Sequence, residues 1–458
     1  MNKSTITKDL TTGNIALQLI TYIAPLFFAN VLQLVYSITD MAIVGHFVGK
    51  NGLAAISVMG EVITLLTYIA MGFANAGQVL VSQYTGAQRH DKTQDFAGTF
   101  FSAIVLFSLV LTAIGIALHK PIIRGINVPE EMHQEALIYF LTCAAGFVFT
   151  FGYNAMSAVM RGMGDSRHPF VFVAIAAVTN VMLDLLFVIV FHMGIFGAAF
   201  ATVLSQCLSF FLSGTFIYRN REKFGFDFKP GFFAIKKDTL KLIIKLGSPL
   251  ALQGGLIQFV LILVARWINA YGVLIISITG IGNKLNSISQ TFSSAVGTSA
   301  STMIGQCLGA KKYKRVMKAT FVSGCIAVGI ASLWACTLML FPEAVFGIFT
   351  NDAEVLAYVP TFLPVAVLLI YSSAFRSPMN GLINGSGNAK MNLTLAIVDG
   401  LVAHLGLPVL CGFVLNGGIM GLWYGNAAAA FTPFFLGLIY CFSGKWKRIP
   451  SLVDRQIK

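Results

Sequence analysis

Apolar stretches of about 20 residues, the length a helix needs to cross a bilayer, recur along the whole of this 458-residue chain. That recurrence limits the fold more than any other feature. Twelve spans are predicted, at 15–48, 53–82, 96–118, 133–160, 169–192, 195–218, 240–270, 274–306, 316–341, 355–382, 391–414 and 418–443. With 56% of residues hydrophobic and 11% charged, no soluble domain of this size is expected. The fold class is an all-α polytopic membrane protein. The break between the first two spans is weakly marked, since only His46-Phe47-Val48-Gly49-Lys50 interrupts the apolar run. The polar segment Met1–Asn14 has no apolar core ahead of a small-residue cleavage site, so it does not read as a secretory signal. The first span is then the first membrane anchor.

A net charge of +13 raises the question of nucleic acid, but its distribution argues against that partner. Basic residues between the spans alternate by side. One side carries Lys3, Lys8, Arg89, Lys92, Arg161, Arg167, the run Arg219 to Lys245, the cluster Lys311-Lys312-Lys314-Arg315-Lys318, Lys390 and the group from Lys445. The other carries Lys50, Lys120 and Arg124. This asymmetry follows the positive-inside rule and puts both termini in the cytoplasm of a multi-pass protein of the cell's inner membrane. Seven scattered cysteines with no CxxC read as small buried hydrophobes.

The chain repeats itself at an offset of about 223 residues. Gln83, Gly86 and Ala87 match Gln306, Gly309 and Ala310, while Arg161-Gly162-Met163-Gly164-Asp165 matches Asn384-Gly385-Ser386-Gly387-Asn388. Gly194-Ile195-Phe196-Gly197 matches Gly418-Ile419-Met420-Gly421, and Pro25 matches Pro249. Six spans per repeat give a parallel repeat, with a site expected between the two bundles near the midplane. The expected division is an N-terminal bundle at 1–218, a solvated cytoplasmic linker at 219–239, a C-terminal bundle at 240–443 and a cytoplasmic tail at 444–458.

Asp40 lies in the middle of the first span, and Asp184 lies in the fifth. A carboxylate at bilayer depth costs about 2.5–3.5 kcal/mol on insertion scales, so it is expected to face a partner or a wet cavity. Gln33, Ser37 and Asp40 share one helical face with Tyr36 beside it, and Asn180 and Asp184 are spaced i, i+4. Thr202 follows in the sixth span. A carboxylate, a carboxamide and a hydroxyl offer hard oxygens for an alkali cation; the carboxylate can instead carry a proton. These residue types leave Na+ and H+ both open. A purely structural hydrogen-bond cluster is the other reading.

These motifs together resemble the multidrug and toxic compound extrusion (MATE) transporters. They are Asp40 followed by Val44-Gly45, Gln83 with Gly86-Ala87, Arg161 to Asp165 with Pro169, Asn180 with Asp184, and the second-half copy Gln306 with Gly309-Ala310. The resemblance spans the chain and leans to the DinF-like branch. It implies twelve helices in two bundles around a central cavity, and drug efflux driven by an inward Na+ or H+ gradient. It also implies a cation site at Asp40, Asn180, Asp184 and Thr202, and a substrate site that includes Gln33, Tyr36 and Asn154. The NorM-like branch adds acids in the C-terminal bundle. Here the seventh span offers only Gln253 and Gln258, and the tenth carries Arg376.

Glu61 in the second span stands where the repeat places Lys284, and both join the candidate substrate residues with Ser37. Lys284, Arg376 and Asp399 are expected to neutralise one another, or else to form a cationic wall, with Arg266 near the outer end of the seventh span. His404 is the one histidine deep within a span. No nucleotide loop, metal cluster or catalytic triad is found, so neither an enzyme nor a cofactor beyond the coupling ion is expected. The expected partners are small molecules and the bilayer, with the protein as a monomer. A flippase for lipid or lipid-linked oligosaccharide is the alternative; a membrane enzyme and a channel find less support.

Overall fold

The computed structural model describes residues 8–126 and 129–448; Lys3 and residues 449–458 of the expected tail lie outside them. Among the described residues the chain is helical, without strands. The spans are α1 (Ile15–Phe47), α2 (Lys50–Gly86), α3 (His90–Gly125), α4 (Glu130–Ala145 with Phe147–Gly162), α5 (Arg167–Val190), α6 (Gly194–Arg219), α7 (Lys237–Asn269), α8 (Val273–Gly309), α9 (Tyr313–Leu340), α10 (Val359–Gly385), α11 (Ala389–Val414) and α12 (Gly418–Ser443). Ten of these are by themselves long and apolar enough to cross a membrane, and α4, bent by 45° at Gly146, makes eleven. The twelfth, α8, has ample length at 37 residues. Its stripe of Asn283, Ser287, Gln290 and Ser294, at helical spacing and exposed, lowers its hydropathy.

The helices form two compact units. The first holds Ala24–Gly247, and the second holds Asp9–Ile23 with Ser248–Lys458. These differ from the expected bundles by an exchange. The start of α1 belongs to the second unit and the start of α7 to the first. The crossings fall beside Pro25 and Pro249, each inside its helix. Proline lacks the N–H that would bond the preceding turn, so both helices lose a ladder bond where they pass from one unit to the other.

The expected linker is exposed at most of its residues, but it is anchored to the first unit by three rings. Phe224, Phe226 and Phe232 are buried, because this polar stretch interleaves aromatic residues that cover α3. Thr99 Oγ1 donates to the Ala234 carbonyl at 3.2 Å and Ser102 Oγ to the Phe233 carbonyl at 2.8 Å. Lys236 Nζ lies 2.6 Å from Asp95 Oδ1. Gly98 permits this approach, since a Cβ there would sit 1.7 Å from the Phe232 carbonyl oxygen.

The Arg161–Asp165 motif closes a turn. Gly164 has φ +92°, and Asp165 Oδ1 accepts from the Arg167 and His168 amides at 3.1 and 3.2 Å, capping α5. Arg161 Nε donates to Gln78 Oε1 on α2 at 2.9 Å, so its basic group holds helices together as well as marking the loop.

Candidate functional site

The first unit gathers the predicted acids. Asp40 on α1 is 8% exposed, while Asn180 and Asp184 on α5 are 1% and 0% exposed. Asn180 Nδ2 donates to Thr202 Oγ1 on α6 at 3.4 Å, linking α5 to α6. Its Oδ1, both oxygens of Asp184 and Oδ1 of Asp40 accept no hydrogen bond from the protein. Asp40 and Asp184 interact electrostatically, so the four predicted residues meet in one region.

Leaving a buried acceptor unsatisfied costs about 1–3 kcal/mol, and more for a charged one. Four such oxygens in one region favour whatever brings positive charge to them, either a cation or a proton. The set, two carboxylates, a carboxamide and a hydroxyl, is made of hard oxygen donors suited to an alkali ion. Directly after Asp184, α5 opens into a π-helix at Leu185–Val190. Its wider turn shifts the hydrogen-bond register, as in Phe191 N–H to the Leu186 carbonyl at 2.9 Å. Such bulges gather at functional sites.

Tyr139 and Cys143 on α4 complete this region and escaped sequence reasoning. Each is 8% exposed, and Asp40 acts electrostatically on both, as both acids do on Tyr36. Their i, i+4 spacing was a visible signal, but the cysteine read as core. That reading also holds: both belong to a buried cluster with Ile43, Val44, Met59, Phe140 and Val188. This apolar shell seals the acids on one side.

The predicted substrate face of α1 is open. Gln33 and Ser37 are exposed, Tyr36 is half-buried, and Asp40 is covered one turn further on. Asn154 on α4 is half-buried and donates to the Thr150 carbonyl of its own helix at 2.9 Å. On α2, Glu61 is exposed together with Thr64 and Tyr68, on one helical face.

The second unit handles its acid differently. Arg376 Nη2 on α10 lies 2.6 Å from Asp399 Oδ2 on α11, and Asp399 is fully buried. His404 Nδ1 is 2.8 Å from the Asp399 carbonyl and 3.3 Å from its Oδ1. Asp399 lies in a π-helix, Val398–Ala403. The expected three-way neutralisation therefore loses Lys284. That side chain is exposed on the polar stripe of α8, without an ion pair among the described residues, because α8 turns it away from the face that meets α10. Arg266 is likewise exposed. No cluster of three metal-binding side chains occurs among the described residues.

The sequence profile named MatE matches residues 25–186 and 249–409, one segment in each repeat. The chain is 27% identical to the probable multidrug resistance protein YpnP of Bacillus subtilis, over 98% of this chain and 99% of that one. It is 23% identical to the probable multidrug resistance protein NorM of Thermotoga maritima, over 96% and 95%. Among solved structures, a MATE protein crystallised in a straight conformation superposes with TM-score 0.88 at 19% identity, covering 97% of this chain and all of that one. A MOP-superfamily transporter from Pyrococcus furiosus, described as having a binding pocket of reversed polarity, gives 0.87 at 19%, over 97% and 99%.

Proposed function

The chain belongs to the MatE family, a family of transporters rather than enzymes, and from that premise we propose that it is a multidrug efflux antiporter of the DinF-like branch. It exports lipophilic cationic or zwitterionic organic compounds by alternating access, in exchange for Na+ or H+. The observation that carries this reading is the group of buried, unpartnered oxygens on Asp40, Asn180 and Asp184. Cation or proton binding there and cargo binding at the open face of α1 must favour different facing states, since coupling between two sites is reciprocal. Gln33, Tyr36, Ser37, Asn154 and Glu61 are the cargo contacts in the first unit, and Lys284 is the one in the second. The names of its relatives support the drug-export reading.

The bias of basic residues to one side of the helices supports cytoplasmic termini in the inner membrane. The protein acts as a monomer. The exposed, unpaired Lys284 favours one second reading, a flippase for an anionic lipid or lipid-linked oligosaccharide of the same superfamily. Vesicles holding the purified protein, loaded with cationic, zwitterionic or anionic dyes, test both readings under separately imposed Na+ and pH gradients. Cation or zwitterion export that follows either gradient is the expected result. Transport confined to anions, indifferent to both gradients, would replace efflux by the flippase reading.

A further inference from the structure

Where α8 ends and α9 begins, the second unit has a basic hollow. It has a volume of about 480 Å³ and lies between Gly13–Ala16, where α1 begins, and the side chains Lys314, Arg315 and Lys318. No acidic residue lines it. Lys314 and Lys318 stand one turn apart, exposed, and neither has a hydrogen bond or ion pair among the described residues.

Arg315 is engaged. Its Nε donates to the Leu10 carbonyl at 3.0 Å, Nη1 to Gly13 at 2.8 Å, and Nη2 to Thr12 and to Gln18 Oε1 at 2.8 Å each. Lys312 Nζ adds a bond of 3.0 Å to the Thr11 carbonyl, and Gln306 Oε1 accepts from the Leu10 amide at 2.9 Å. The hollow thus lies beside the clasp that holds the segment leading into α1.

The first repeat shows that this surplus of charge is a choice. At the offset of 223, Lys314 and Lys318 correspond to Asp91 and Asp95. Asp91 is bonded to Arg89 at 3.2 Å and Asp95 to Lys236 at 2.6 Å, so the first unit closes its charge internally. In the second, three cations line a cavity with no acid in its lining among the described residues. A topology signal requires positive charge but not a cavity. Basic pockets at the ends of membrane helices are suited to anionic headgroups, which lie at that depth.

We propose that this hollow binds the phosphodiester headgroup of an anionic phospholipid, with Lys314 and Lys318 as direct contacts and Arg315 as the link to residues 10–13. The bound lipid tightens the hold on the lead-in to α1. Which leaflet supplies it follows from the topology proposed above; binding itself does not depend on that topology or on the transport reading.

The test measures binding of phosphatidylglycerol to the purified full-length protein in detergent, by native mass spectrometry, with hydrogen exchange of residues 10–13 as a second readout. Wild type is expected to bind it saturably, to ignore phosphatidylcholine, and to protect those amides on binding. At about 1 kcal/mol for each lysine near a headgroup, K314Q/K318Q should weaken binding by about thirtyfold. The control K241Q/K245Q removes the same charge from α7 and should stay within about threefold of wild type. Both variants should melt as wild type does without lipid. If K314Q/K318Q does not fold, K314R/K318R keeps the charge and should keep the binding, and its failure to bind would count against the site. Equal losses in the two glutamine variants, or no preference over phosphatidylcholine, would overturn the proposal. Displacement of the lipid by glycerol 3-phosphate would make this a site for soluble phosphate instead.

Discussion

In the first unit Asp40 and Asp184 are buried with no basic side chain paired to them, whereas in the second Asp399, whose Oδ1 likewise accepts no hydrogen bond, has its Oδ2 2.6 Å from Arg376. The two units descend from one repeated pattern and have matching helices, yet one leaves its buried negative charge open and the other closes it. Near the ends of the third helix of each repeat the contrast reverses. There the first unit pairs Asp91 and Asp95 with basic partners, and the second leaves Lys314 and Lys318 unpaired. Helix count and packing tolerate both arrangements. Charge pairing, and not fold, is what differs between the halves, so it is where the division of labour should be sought.

The largest expected effect separates the open acids from the closed one. Asp184→Asn, and likewise Asp40→Asn, should lower gradient-driven dye efflux to the level of empty vesicles, while the amount of folded protein in the membrane stays near wild type. Efflux per folded molecule is the measurement, and full activity in either variant would end the cation-site assignment. Next comes the closed pair. Removing one partner of a buried ion pair costs about 3–5 kcal/mol. Arg376→Gln should therefore lower the melting temperature sharply, and a double change to Met at 376 and Leu at 399 should recover most of the loss. If Arg376→Gln melts like wild type but loses transport of zwitterions, the second unit too has a working charge.

A smaller effect concerns Lys284, which opposes Glu61 in sign at the equivalent position. Lys284→Gln should improve handling of a lipophilic monocation and impair that of a zwitterion, each by a few-fold. An equal change for both would remove it from the cargo site. The smallest effect is at the clasp. Burial pushes the Asp9 carboxyl up, but hydrogen bonds from Thr11 and Thr12 and the charge of Lys312 outweigh this and hold it below the usual value. A lowered folded-state value means that its contribution is present above the ordinary carboxylate range and fades as pH falls through the lowered one. Protection of the Thr11 amide, bonded to Asp9 Oδ1 at 2.8 Å, should then persist at pH 5 and weaken towards pH 3. Unchanged protection over that range would show that Arg315 alone holds the segment.

Much of the fold could be read from sequence, because span length is set by the bilayer and acts locally. The grouping of Asn180 with Asp184 was equally accessible, since helical spacing alone puts them on one face. Tyr139 and Cys143 were not, because their approach to Asp40 depends on how α4 packs against other helices, and neither residue is unusual in a core. The grouping of Lys284 with Asp399 failed for the same reason: composition names the charges, but only helix rotation decides which of them meet. The linker is solvated along most of its length, but its charges hid Phe224, Phe226 and Phe232, three buried rings in a stretch that reads as polar.

The exchange of lead-in segments has a consequence for synthesis. Leu10 is held by Arg315, 305 residues later in the chain. At about 5–20 residues per second, roughly 15–60 s separate the two on the ribosome. During that interval the first stretch of α1 has no binding surface, and the insertion machinery or the membrane interface must hold it until α9 arrives. Residues 234–236 of the linker face no such delay, because α3, which receives them, is made before them. The first unit thus closes its linker contact early, while the second waits for α9 to close its hold on residues 10–13. Two separately expressed halves cut within 219–228 should reassemble slowly, since the clasp and the α3 contact must both form across chains.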